Sequence, residues 1–459
     1  EKAYHLAMTG RRGPSWIDIP VNYQGCYIET DELRGYDPSE DVNENPAPVE
    51  KSVIAEVIGK IKDAKRPVLY AGNGIRLSEG YGAFRKAVEK LGIPVVTCWD
   101  SIDAIEDENP LYVGRGGIMG DRPGNFAVQN ADLVLAVGNR LSIRQVGYSW
   151  KTWAREAYVI MVDVDPAELK KTTLHVELPV CADAKDFFVQ MNEQLADEDV
   201  PVFAGKEWIR KCQEWKKNYP VTQPKHWEED GKYANVYAFI KYLSQNLPQG
   251  NMTVVSNGSA CVVGSHNYVI QKEARFLINS AVASMGYGLP AAIGACIATG
   301  RKTTICLEGD GSIMMNLQEL QTVLTNQLPI KIFVINNQGY HSIRQTQNNL
   351  FKEHCKIGIG PESGDLSFPD FSKLSEAFGY TYLEAHSNAQ MKKMVDQALK
   401  IDGAVFCEIF VSAEQNFEPK SATKRLEDGT LVSPPLEDLA PFLPREEIIK
   451  NMFIPVIEE

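Results

Sequence analysis

Residues 303–346, TTICLEGDGSIMMNLQELQTVLTNQLPIKIFVINNQGYHSIRQT, constrain the fold more than any other stretch of the chain. Thr303 to Leu307 is a short apolar strand candidate, and Ile330 to Ile335 is a second apolar run of the buried, parallel-sheet kind. Between them Met314, Leu317, Leu320, Val323 and Leu324 recur at helical spacing, and GDGS (Gly309 to Ser312) predicts a tight turn ahead of that helix. The unit reads as strand, helix, strand. Parallel strands joined by a right-handed crossover open their carboxyl-end loops onto one crevice. Asp310 leaves the first strand there and Asn337 leaves the second. With the carbonyl of Gly339 they make an oxygen donor set suited to Mg²⁺, which keeps its other positions for water and phosphate. Gly311 and Ser312 present N–H groups and a hydroxyl at a helix start, where the dipole favours an anion. The pattern predicts a Mg²⁺–diphosphate clamp, whereas a lone GDG would signify only a turn.

GDGS, a helix, a buried strand and NNQG at this spacing resemble the thiamine diphosphate signature of the acetolactate synthase and pyruvate decarboxylase superfamily. The resemblance implies that the Asp310 and Asn337 side chains and the Gly339 carbonyl bind Mg²⁺, with Gly309, Gly311, Ser312 and Tyr340 around the cofactor. NMTVVSNGSA (Asn251 to Ala260) matches the segment that wraps the diphosphate, so Gly258 and Ser259 join the expected set. Acetolactate synthases carry GQHQ there, and this chain has Gly258-Ser259-Ala260-Cys261. Cys261 reads as a packed thiol, since no His or Asp is placed beside it. SMGYGLPAAIGA (Ser284 to Ala295) is close to the family wording and adds Ser284 and Met285, the latter in the place of the apolar residue that props the cofactor in a bent shape. His341 is the local candidate for a group titrating near neutrality. Thr346 stands where relatives making branched-chain precursors have a Trp.

The expected fold class is α/β, with two doubly wound parallel-sheet domains, because strands and helical patterns alternate along most of the chain. At 459 residues the chain exceeds what one core sustains. Residues 1–20 end in GRRGPSWIDIP, where Trp16, Ile17 and Ile19 predict a brief strand; similar segments close the family's pyrimidine-binding domain. Residues 21–50 read as a Pro-containing linker, 51–195 as a central Rossmann-like domain, 196–230 as a second linker, 231–413 as the thiamine diphosphate-binding domain, and 414–459 as a tail. In the central domain Gly72-Asn73-Gly74 follows a strand without completing GxGxxG, and Arg140 and Arg144 match arginines of a segment that in several relatives accompanies FAD. A diphosphate grip and surface ion pairs both remain open for them.

A net charge of −13 argues against nucleic acid or an anionic membrane as partner. Nine cysteines without a CxxC pair suggest neither a zinc site nor a disulfide framework, which fits a reducing cytoplasm. The uncharged run Asn279 to Gly300 is interrupted by Gly286, Gly288, Pro290 and Gly294, and reads as a close-packed buried helix rather than a membrane span. The resemblance implies decarboxylation of a 2-keto acid and transfer of the two-carbon unit to an acceptor by a homodimer or homotetramer. A decarboxylase, a lyase or a cyclic-diketone hydrolase would use the same clamp, and a non-catalytic nucleotide-binding or regulatory subunit is the rival from another class. In the family the glutamate that activates the cofactor belongs to the pyrimidine-binding domain, almost all of which is missing from this sequence. The chain alone is therefore expected to show little or no carboligase activity.

Overall fold

A computed structural model describes the chain except residues 11, 42–45, 198–199, 230, 352–355, 426–428 and 458–459. Two six-stranded parallel sheets carry the architecture. The first contains β1 (Pro67–Ala71), β2 (Val95–Thr97), β3 (Tyr112–Arg115), β4 (Leu133–Val137), β5 (Tyr158–Asp163) and β6 (Leu178–Cys181), in the order β3-β2-β1-β4-β5-β6. The second contains β7 (Met252–Val255), β8 (Arg275–Ile278), β9 (Thr304–Gly309), β10 (Ile330–Asn336), β11 (Thr381–Ala385) and β12 (Val405–Phe410), in the order β11-β12-β10-β9-β7-β8. Both sheets reverse direction next to their earliest strand, at β1/β4 and at β7/β9, the position where open α/β sheets leave a crevice. By contacts the chain forms two compact units: residues 1–93, 132–140 and 157–205, and residues 94–131, 141–156 and 206–459.

In the first unit α1 (Lys51–Asp63) buries Ile54, Val57, Ile58 and Ile61, the stripe that the helical spacing predicts. Next comes α2 (Tyr81–Leu91), which ends at Gly92 in a left-handed conformation; α3 (Ala184–Gln194) is capped by the Asp183 carboxylate. Residues 12–20 form no strand, and Trp16 is 94% exposed. An apolar run becomes a strand only when its backbone finds a ladder partner, and neither sheet order includes this segment. Arg11 of that motif lies outside the described residues.

The second unit holds α4 (Val236–Gln245), α5 (Gly258–Asn267), α6 (Gly288–Ala298), α7 (Glu319–Thr325), α8 (His341–Leu350) and α9 (Asn388–Lys400). Its sheet is covered on both faces. Alternate residues divide between two cores, Phe333 and Ile335 of β10 facing one and Ile330, Ile332 and Val334 the other. The single helix expected between β9 and β10 is broken into a helical turn at Asp310–Ile313, a 3-10 turn at Met314–Asn316, and α7. The break coincides with Asn316, whose amide is drawn to the carbonyl of Gly286 at 2.7 Å. In the run expected to be a buried helix, α6 begins only at Gly288 and buries one face, through Leu289, Ala292, Ala295 and Cys296, while Ile297 is exposed. No helix among the described residues is long and apolar enough to cross a membrane.

Candidate functional site

At the β7/β9 reversal the loops leaving β7, β9 and β10 line one cavity of about 110 Å³. Asn257, Gly258, Ser259, Met285, Gly309, Asp310, Gly311, Ser312, Asn337, Gly339, Tyr340 and His341 all border it. Ser284 alone of the expected residues does not; it sits on the exposed turn before α6, beside Asn279.

Asp310 is 2% exposed, and each of its oxygens takes a backbone N–H, from Gly311 at 2.8 Å and from Gly339 at 2.9 Å. Burial raises its pKa to about 7, because these N–H groups and the nearby Arg344 offset the desolvation only in part. Asn337 is held by its Nδ2, which donates to Ser259 Oγ at 3.1 Å, while its Oδ1 is buried with no hydrogen-bond partner. A buried carboxylate beside an orphaned amide oxygen is what a hard cation would complete. Among the described residues no three His, Cys, Asp or Glu converge as a metal site; the donors at this place are a carboxylate and an amide oxygen, the hard type.

Glycine is required twice in this frame. Gly339 has φ +142°, and a Cβ on it would lie 1.7 Å from the carbonyl oxygen of Ile359. A Cβ on Gly311 would meet the Tyr340 ring at 2.2 Å. The residue that holds the NNQG turn was missed by sequence reasoning. It is Arg344, 2% exposed, which donates to the carbonyls of Asn337 (3.1 Å) and Gln338 (2.8 Å) and to the Glu362 carboxylate (3.2 Å). The signal was present, since Arg344 is the one charged residue in HSIRQTQNNL. Glu308 was missed as well, although a carboxylate in the apolar strand TICLEG is a comparable flag. It is fully buried, which raises its pKa to about 7 against the pull of the Ser256 and Ser312 hydroxyls and the Leu289 N–H.

His341 does not titrate near neutrality, contrary to expectation. Its ring is buried edge-on against Phe417, its Nε2 lies 2.6 Å from the Gln415 carbonyl, and burial lowers its pKa to about 4. It borders the cavity as a neutral imidazole whose Nδ1 has no partner. Cys261 is packed as expected, with burial pushing its thiol up to about 12. Each of the two arginines for which a diphosphate grip and surface ion pairs both stand open has a protein partner. Arg140 lies 3.5 Å from the Glu168 carboxylate, and Arg144 covers the Trp99 ring at 5.0 Å.

A crevice at the reversal of a doubly wound sheet, with a carboxylate, an amide and a glycine turn at its floor, is the kind of site that cofactor-dependent α/β enzymes carry. The family described as thiamine pyrophosphate enzyme, central domain, matches residues 54–191, and thiamine pyrophosphate enzyme, C-terminal TPP binding domain, matches residues 256–409. The chain belongs to the thiamine diphosphate-dependent enzymes of the acetolactate synthase and pyruvate decarboxylase superfamily. It is 31% identical to a probable acetolactate synthase 2, chloroplastic, of Oryza sativa subsp. japonica, over 91% of this chain and 63% of that protein. It is 30% identical to the acetolactate synthase isozyme 2 large subunit of Escherichia coli (strain K12), over 91% and 72%. A probable acetolactate synthase large subunit of Methanococcus aeolicus is also 30% identical, over 87% and 67%. The chain thus spans 63–72% of the length of these curated relatives.

Proposed function

We propose that the intact protein is a Mg²⁺- and thiamine diphosphate-dependent carboligase of the acetolactate synthase kind, acting on a 2-keto acid. The unpartnered Oδ1 of Asn337 beside the buried Asp310 carboxylate is the observation that carries this reading. In it Asp310, Asn337 and the Gly339 carbonyl hold Mg²⁺. Gly258, Ser259, Gly309, Gly311 and Ser312 surround the diphosphate, with the Ser259 and Ser312 hydroxyls as its side-chain partners, and Met285 supports the organic half with Tyr340 nearby. When bound, thiamine diphosphate supplies the electron sink for decarboxylation. The apolar Ile335 and Ile343 in the cavity lining keep that end poor in water, and neutral His341 presents an acceptor nitrogen there. A homodimer or homotetramer, a cytoplasmic setting, and the division into central (51–195) and cofactor-binding (231–413) domains belong to the same proposal.

A different decarboxylase, lyase or hydrolase on the same clamp is the second reading. Thr346, exposed on α8 with its hydroxyl turned back to the Ser342 carbonyl, leaves the acceptor side open where a Trp would narrow it. Calorimetry with thiamine diphosphate, with and without Mg²⁺, tests the cofactor assignment. Mg²⁺-dependent uptake that Asp310→Ala weakens by about 100-fold or more is expected. Uptake indifferent to Mg²⁺ or to that substitution would sink it. Incubation with pyruvate and a panel of acceptor keto acids and aldehydes then separates the two readings.

A further inference from the structure

The turn that carries Met285 is poorly anchored by packing. Val282 is 78% exposed and Met285 41%, and the backbone is left-handed at Ala283 (φ 54°) and Gly286 (φ 77°). Polar groups hold it instead. Asn257 Nδ2 donates to the Ala283 carbonyl at 2.7 Å, Gly286 N–H donates to Ser312 Oγ at 3.0 Å, and Asn316 Nδ2 donates to the Gly286 carbonyl at 2.7 Å. The last tie comes from β9. Glu308 Oε1 accepts the Leu289 N–H at 2.8 Å in the first turn of α6, and a Cβ on Gly288 would stand 2.3 Å from that oxygen. The carboxylate therefore reaches the helix start only because residue 288 has no side chain. Two residues further along β9, Asp310 opens the proposed metal site, and the Ser312 hydroxyl is shared between Ser256 and the Gly286 N–H.

We infer that Glu308 is a positioning residue: it fixes the distance between the diphosphate floor of the cavity and the Met285 turn, and so acts on the organic half of the ligand and not on its diphosphate. This rests on the cofactor reading above. A buried carboxyl oxygen that accepts an N–H in the first turn of a helix is a directional tie, since that donor has no partner within the helix. A long, unbranched side chain such as Met285 can support a ligand only from a backbone held in place.

The test uses two probes on the full chain, Mg²⁺–thiamine diphosphate and Mg²⁺–inorganic pyrophosphate, with affinities read by calorimetry. Glu308→Ala is expected to weaken thiamine diphosphate by about tenfold, the loss of one buried hydrogen bond. Pyrophosphate affinity should stay within about twofold, since Glu308 meets the diphosphate set only through the Ser312 hydroxyl, which Ser256 and the Gly286 N–H also hold. Glu308→Gln keeps an oxygen for the Leu289 N–H and should recover thiamine diphosphate binding to within about threefold. Asn316→Ala, which cuts a different tie to the same turn, should show the same selectivity at smaller amplitude and covers the case in which Glu308→Ala does not fold. Equal losses for both probes, or no loss for either, would overturn the inference. Failure of the unsubstituted chain to bind even Mg²⁺–pyrophosphate would instead overturn the cofactor reading beneath it.

Discussion

The two sheets reverse at β1/β4 and at β7/β9, and glycines follow the strands at both places, but they face different surroundings, and the second reversal opens onto a cavity. At the first, Gly72 and Gly138 close on each other. A Cβ on Gly72 would lie 2.1 Å from the Gly138 carbonyl oxygen, and the Gly72 and Gly74 N–H groups donate to the carbonyls of Val137 and Gly138, both at 3.0 Å. The backbone donors that a phosphate would need are spent within the turn. At the second, nothing stands within 4 Å of a Cβ built on Gly309 or Gly258, and Asn337 Oδ1 is left without a partner. A glycine-rich turn after a strand therefore signals close backbone approach. Whether the approach is to another backbone or to a ligand depends on what faces it.

Substitutions at matched glycines test this contrast most directly. Gly72→Ala should destabilise the protein by about 3 kcal/mol or more, because the new methyl group meets backbone that cannot retreat. Chemical denaturation followed by circular dichroism measures it, and an unchanged midpoint would show that the first reversal is looser than drawn. The next effect concerns how far the openness of the second reversal extends. The first turn of α5 faces the cavity, but its last turn holds His266, fully enclosed, with burial lowering its pKa to about 3. Its folded pKa lies below the ordinary value near 6.5, so the unfolded chain takes up the proton first as pH falls. The stabilisation is complete above about pH 6.5 and is lost toward pH 3, at about 1.4 kcal/mol per pH unit, or about 2 kcal/mol between pH 7 and 5. Asp310 and Glu308, whose raised pKa values act in the opposite sense over this range, contribute to the total, so the share of His266 is read by denaturation at both pH values as the difference in slope between the protein and its His266→Gln variant; an identical slope in the variant would mean that water reaches the histidine. The smallest effect is the counterpart of the first. Gly309→Ala should change stability by only about 0.5 kcal/mol, since the site has room and φ −106° suits any residue, yet it should weaken Mg²⁺–pyrophosphate binding by about tenfold by filling the cavity. Normal binding would place the diphosphate elsewhere.

Much of this was legible in advance. The strands at Pro67–Ala71, Leu133–Val137, Tyr158–Asp163, Thr304–Gly309 and Ile330–Asn336 are predominantly apolar runs, of the kind a doubly covered sheet accommodates. The short strands Tyr112–Arg115 and Leu178–Cys181 were not read, because the first carries an arginine and the second a proline, and at 4 residues each they offer too little pattern. The Trp16–Ile19 run read as a strand and is not one, since sequence cannot say whether a ladder partner is present.

The sequence by itself determined the α/β alternation and the convergence of Asp310, Asn337 and Gly339, because strand polarity and crossover handedness place those loops together whatever the side chains do. Tertiary structure decided the rest. It settled that Gly72 meets Gly138, that His341 is buried against Phe417, that Arg344 grips the NNQG carbonyls, and that Glu308 reaches the start of α6. Each of these depends on which groups far apart in the chain come within a few ångströms, and on how much water burial has removed from them. Periodicity and spacing carry no record of either.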